Sequence, residues 1–194
     1  MKKHLIFCGS KELGLSALIR AELGPALAVA GGYITEPVVS SNGAVLVSLF
    51  PAAAAGGVAG FEGRSIYEQT GGEARKDNEL FRTEGVRLLQ EAAYYPFAML
   101  DRFGGYELVV PQYRQALAEL LSSDQAILGV LMTRGEAYAL GAGLGLGERF
   151  VRLVDRLHEA LRNDADTLLL PVEQGDLDSA RRILRQWAQE FIYQ

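Results

Sequence analysis

The chain has 194 residues, 49% of them apolar and 22% charged, with a formal net charge of −5. That length and balance suit one α/β domain with a full core, residues 1–194, and the acidic surplus excludes a general nucleic-acid binder, which needs a basic surface. No basic segment precedes a long apolar run and Cys8 is the lone cysteine, so no signal peptide, membrane span or disulfide is expected, as in a cytoplasmic protein.

In chain order, "KHLIFC" is a short apolar run that predicts a buried first strand. Ser16 to Leu23 predicts a helix stopped by Gly24-Pro25. "ALAVA" reads as a second short strand. "GYITEPVVS" and "AVLVSLF" are β-rich runs flanking Ser41-Asn42-Gly43. Asn-Gly between such runs is a strong hairpin signal, which predicts an inserted antiparallel hairpin at about 32–50.

Residues 51–76 are rich in Gly and Ala and read as a loop, or as one weak strand near Val58. Asp77 has the character of an N-cap, and Leu80, Phe81, Val86, Leu88 and Leu89 form an apolar helix face reaching about Ala93. "YYPFAMLD" predicts a buried strand ending in a carboxylate. "PQYRQALAELL" is a helix with proline in its first turn, where a missing N–H costs nothing. "AILGVLMT" is a further strand, and "LGAGLGLGE" reads as a mobile loop or lid. A helix ("GERFVRLVDRLHEAL"), a strand ("DTLLLPV") and a final amphipathic helix complete the chain. His4 and His158 are too few for a histidine metal site and read as surface or strand-edge residues.

Apolar strands alternating with helices predict an α/β fold with a mostly parallel sheet covered on both faces. Ligands in such sheets bind beyond the carboxyl ends of the strands. That places the segment after the first strand and Asp101 on one rim, at neighbouring strand ends.

The segment after the first strand reads "FCGSKELGLSALI". Gly9 and Gly14 are five residues apart and Ser16 opens a helix, the frame of a loop whose amides converge on phosphates. Such loops carry a lysine that reaches the phosphates and a hydroxyl that ligates magnesium. Here the lysine position is Leu15, and the hydroxyl is Ser16. The chemistry also requires a strand-end Asp to hold Mg2+ through water, supplied by Asp101. A Glu that polarises water often follows, but here Arg102 does, and a guanidinium has no acceptor.

These residues resemble the THEP-type nucleoside-triphosphatases, a family of P-loop NTPases. That family reads G-x-x-G-x-G-K-[ST], then G-F-Y-T-E-E, then approximately D-E-I-G-x-M-E-L. This chain has the loop described, then Gly32-Tyr33-Ile34-Thr35-Glu36, then "DRFGGYEL" with Asp101, Gly104, Glu107 and Leu108 in register. The resemblance spans roughly residues 3–133. It implies a nucleotide site at Gly9, Ser10, Lys11, Gly14, Leu15 and Ser16, with magnesium on Ser16 and Asp101 and with Glu36, Arg102 and Glu107 on the rim. Where the family has a later basic segment and an Asn-Arg pair, this chain has "TRGEAYALGAGLGLGERF" and "VEQGDLD".

Loss of a charge-assisted lysine contact costs ~2–5 kcal/mol, and loss of a general base typically costs on the order of 10²- to 10⁴-fold in rate. Together they imply hydrolysis lost or severely reduced. Two readings of the loop stay open: a plain strand-to-helix turn with Leu15 packed in the core, or a phosphate nest with Lys11 or Arg102 as substitute cation. Arg102 either neutralises Asp101 or contacts phosphate. Two functional classes follow, a nucleotide-binding NTPase-like protein or a catalytically silent interaction module.

Overall fold

A computed structural model describes residues 1–39, 45–56, 64–70 and 73–193. In chain order the elements are β1 (His4–Cys8), α1 (Leu15–Leu23), β2 (Ala30–Val39), β3 (Val45–Pro51), β4 (Arg64–Thr70) and β5 (Glu73–Lys76). There follow α2 (Asn78–Leu80), α3 (Val86–Glu91), β6 (Phe97–Phe103), α4 (Pro111–Leu121) and β7 (Ile127–Leu131). The chain ends with α5 (Arg134–Gly143), α6 (Gly147–Asn163), β8 (Thr167–Pro171) and α7 (Leu177–Phe191).

The strands form one sheet in the order β5-β4-β3-β2-β6-β7-β1-β8. The five strands from β2 to β8 in that order pair parallel, and β2, β3, β4 and β5 pair antiparallel in succession. The fold is therefore α/β with a mostly parallel central sheet and an antiparallel extension.

Alternation along each buried strand explains why both faces are covered. Leu5 and Phe7 of β1 join Ile19 of α1 and Leu184 and Trp187 of α7 in one apolar layer. Ile6, between them, joins Leu100, Leu117, Phe150 and Val154 in the other. Trp187 is fully buried and its Nε1 donates to the Lys3 carbonyl at 3.1 Å, so its polar atom is satisfied.

Strands β2 and β3 form the expected hairpin, Tyr33 opposite Pro51 through Val39 opposite Val45. The Asn42-Gly43 turn lies outside the described residues. The Asp77 side chain accepts the Leu80 N–H at 2.9 Å, the capping its position predicts. From there the helix continues through a π-turn at Phe81–Gly85 into α3.

Four expectations are corrected. "ALAVA" is not a strand: Gly24–Val29 is a 3-10 turn in which Leu27 alone is buried, and β2 begins at Ala30. Residues 51–76 are not a plain loop, since β4 and β5 extend the sheet; Val58 lies outside the described residues. An antiparallel edge is held by backbone pairing and needs no continuous apolar run, so the sequence pattern there is weak.

The stretch "LGAGLGLGE" is largely helical, because α5 runs to Gly143 and α6 starts at Gly147. Gly141 is small for a packing reason: a Cβ there would stand 2.4 Å from the Phe150 ring. Finally, His4 and His158 are buried, not surface residues, and their Nε2 atoms bond the Leu121 and Met132 carbonyls, each at 3.1 Å. Burial holds both imidazoles below their ordinary pKa.

Candidate functional site

The loop after β1 and the end of β6 share one rim of the sheet, but not on adjacent strands, since β7 runs between them. The helix that follows the loop closes this gap. The Ser16 hydroxyl, in the first turn of α1, donates directly to Asp101 Oδ1.

The loop is tighter than an open nest. The Leu13 N–H donates to the Ser10 carbonyl at 3.1 Å and the Gly14 N–H to the Lys11 carbonyl at 3.2 Å, so Lys11–Leu13 is a 3-10 turn. Two loop amides are thereby spent internally. Gly14 then adopts φ 65°, a left-handed conformation that suits glycine and releases the chain into α1. Leu15 is 3% exposed and packs with Leu18 and Ile19 in the layer under α1. A Cβ on Gly9 would stand 2.9 Å from both Leu13 Cδ1 and Leu15 Cδ1, so these leucines close over it. The position where the family has its lysine is therefore occupied by a core residue.

Asp101 is 1% exposed. The β6–β7 register shifts between Leu100 and Phe103, and Arg102 has φ 55°, the positive-φ residue other than glycine among the described residues. This irregularity frees Asp101 and Arg102 from the regular ladder. Besides the Ser16 bond, Asp101 Oδ2 accepts the Thr35 N–H at 3.4 Å and lies 3.6 Å from Arg20 Nη2. Burial raises the Asp101 pKa, with Ser16 and Arg20 opposing. Arg20 Nη1 pairs with Glu36, so one guanidinium bridges two rim carboxylates.

Arg102 does not neutralise Asp101 through an ion pair. Its Nη2 lies 3.2 Å from Glu136 Oε1. The same Glu136 oxygen accepts the Lys11 N–H at 2.8 Å, and Oε2 accepts from the Thr133 N–H and hydroxyl. Burial pushes the Glu136 pKa up, but the Lys11 amide, Arg102 and Thr133 outweigh it and hold the carboxyl below its ordinary value. An internal anion thus occupies an amide of the loop.

Glu107 is 4% exposed, and its Oε1 accepts the Gly104 and Gly105 N–H groups at 2.6 and 2.8 Å. Burial raises its pKa from 4.5 to about 7. Between those values the native state keeps a proton that the unfolded chain has lost, so stability falls as pH rises through that window. The full shift corresponds to on the order of 3 kcal/mol. Glu107→Gln keeps an acceptor for both amides and removes the titration. The variant should therefore gain stability over the wild type between about pH 5 and about pH 8. Urea unfolding of both proteins at the two pH values measures this; a parallel pH response would reject it. The contributions of Asp101, His4 and His158 are common to both proteins and cancel.

Ser16, Arg20, Glu36, Asp101, Arg102 and Glu107 line a cavity of about 460 Å³. Its lining includes Ser10, Lys11, Gly14, Leu15, Ser16 and Arg102 from the loop and rim, and Tyr33, Val47, Ile66, Phe81, Tyr106 and Glu107. Of the sequence-derived site residues, Ser10, Lys11, Gly14, Leu15, Ser16, Glu36, Asp101, Arg102 and Glu107 line this cavity, and Gly9 does not.

Arg20 and Glu136 were not anticipated. Arg20 is four residues after Ser16, hence on the same helix face. Thr133 and Glu136 form a capping box, a pattern readable in "TRGE" that fixes the start of α5 on this rim. Ser16 and Asp101 are adjacent hard oxygen donors and suit magnesium, whose remaining ligands would be phosphate oxygens and water. Among the described residues no cluster of three or more His, Cys, Asp or Glu could hold a metal by itself.

No family model matches the sequence, and no curated protein matches it. A solved structure does: the crystal structure of THEP1 from the hyperthermophile Aquifex aeolicus superimposes with a TM-score of 0.64. The match covers 97% of this chain and 98% of that one at 12% identity. The fold is P-loop NTPase-like. At that identity the likeness is one of architecture. No described helix is long and apolar enough to cross a membrane.

Proposed function

We propose that this chain is a degenerate relative of the THEP-type nucleoside-triphosphatases, a cytoplasmic protein that holds a nucleotide weakly and has lost, or nearly lost, its hydrolysis. The reading is supported above all by the Ser16–Asp101 contact at the mouth of the loop. Those two oxygens are the pair that a magnesium–nucleotide complex would use. In the same reading the first-turn amides of α1 face the phosphates, and Arg20 or Arg102 supplies the positive charge that Leu15 lacks. Ser16 and Asp101 would hold the magnesium, which would supply positive charge against the phosphates. No carboxylate follows Asp101 to orient water, which is why turnover is lost.

One observation favours the second reading, a silent interaction module. Glu136 sits on the Lys11 amide and repels an incoming phosphate.

Titration of the purified protein with ATP and GTP, with and without magnesium, separates the two. The expected result is weak, magnesium-strengthened binding, about 10²-fold or more below a lysine-bearing loop. Gly14→Val should weaken it further, because φ 65° strains a β-branched residue. No thermal stabilisation by millimolar nucleotide would favour the silent module.

A further inference from the structure

The cavity is divided in character. Besides the polar loop and rim residues, its lining holds Tyr33, Phe81 and Tyr106 together with Val47 and Ile66, which belong to one apolar cluster. Phe81 stands edge-on to Tyr106, and the Tyr106 hydroxyl donates to the Ile66 carbonyl, so the aromatic wall is braced against β4. Glu107, which follows Tyr106 in the chain, lines the same cavity. Glu107 is buried and held in one orientation by two backbone amides.

The other carboxylates of the site have cations. Glu36 and Asp101 share Arg20, and Glu136 has Arg102. Glu107 has none among the described residues, whose ion pairs all lie elsewhere. Burying a carboxylate without a counter-ion is costly, and a core of this kind does not need one for packing. A carboxylate and aromatic rings lining one cavity are, however, the groups that recognise an organic cation: the charge pairs with the ammonium and the rings receive its body.

We propose that this cavity binds a small organic cation, an amine on an apolar or aromatic body, with Glu107 as its anionic partner and the aromatic residues Tyr33, Phe81 and Tyr106 receiving its body. The proposed site shares its cavity with the loop but uses none of the loop residues, so it does not depend on a bound nucleotide. The cavity volume of about 460 Å³ suits a ligand of one or two rings.

The test is a titration of isosteric probes, benzylamine, benzyl alcohol and benzoate, followed by protein NMR on the full chain. Phenethylamine and its alcohol form a second pair. The amines should bind at least about 10-fold more tightly than the alcohols, the gain expected when a hydrogen bond becomes charge-assisted. Benzoate should bind least. Shifts should centre on the rings of Tyr33, Phe81 and Tyr106.

Glu107→Gln, which keeps an acceptor for both amides, should erase the preference for amine over alcohol. Equal binding of amine and alcohol to the wild type, no binding of either, or a preference that survives in a folded Glu107→Gln protein would each overturn the proposal. The wild-type comparison decides even if the variant fails to fold. ATP added to the same sample reports on the loop separately. Amine binding without ATP binding would remove the nucleotide reading and leave this one intact.

Discussion

Leu15→Lys alone should lower the stability of the folded chain by on the order of 3 kcal/mol, the scale of an uncompensated buried charge, and should restore no NTP hydrolysis. Leu15 is 3% exposed in an apolar layer, so the new ammonium would have to leave that layer and cross to the cavity. Arg102→Glu alone should also fail, because it would set a second carboxylate against Glu136, the present partner of Arg102. The productive combination adds Glu136→Gln. Glutamine still serves the capping box with Thr133, and the like-charge contact disappears. The triple variant should show magnesium-dependent phosphate release on the order of 10²-fold above any single variant, since a cation and a base act as a unit. Phosphate release measured with excess ATP or GTP, after circular dichroism has shown folding, decides the matter. A folded triple variant with no nucleotide binding would mean that the loop has changed shape as well as chemistry.

Asp101→Ala should be among the most destabilising single changes on the rim, again on the order of 3 kcal/mol. The side chain is 1% exposed and answers the Ser16 hydroxyl, the Thr35 amide and Arg20 together. Its removal leaves the half-buried Ser16 hydroxyl and the Thr35 N–H without acceptors and shifts the Arg20 charge onto Glu36 alone. Asp101→Asn preserves an oxygen for Ser16 and should cost about half as much. Urea denaturation of the two variants separates loss of the acceptor from loss of the charge. Under the nucleotide reading, Asp101→Asn should also abolish any strengthening of ATP binding by magnesium. An Asp101→Ala protein as stable as the wild type would mean that this network contributes nothing to the fold.

Much of the architecture could be read from local pattern. The runs at His4–Cys8, Phe97–Phe103 and Ile127–Leu131 are continuous and apolar because both faces of those strands are covered. Asp77 and Pro111 marked helix starts through capping and proline chemistry that act within one turn. By contrast, β4 and β5 were hidden because an antiparallel edge is held by backbone pairing, which leaves no apolar signature. "LGAGLGLGE" misled because Gly141 serves close packing against Phe150, while Gly145 and Gly147 take positive φ at the junction between α5 and α6.

The sequence by itself determined the alternation of strands and helices, the spacing of Gly9, Gly14 and Ser16, and the absence of lysine at 15 and of glutamate at 102. These are local properties, set by covalent order and one-turn geometry. Only the tertiary structure decided which charges meet. Arg102 faces Glu136, Arg20 bridges Glu36 and Asp101, and Glu107, without an ion-pair partner among the described residues, lines a cavity with aromatic residues. Such pairings join residues far apart in the chain, and their energy depends on distance and burial, which no local pattern encodes.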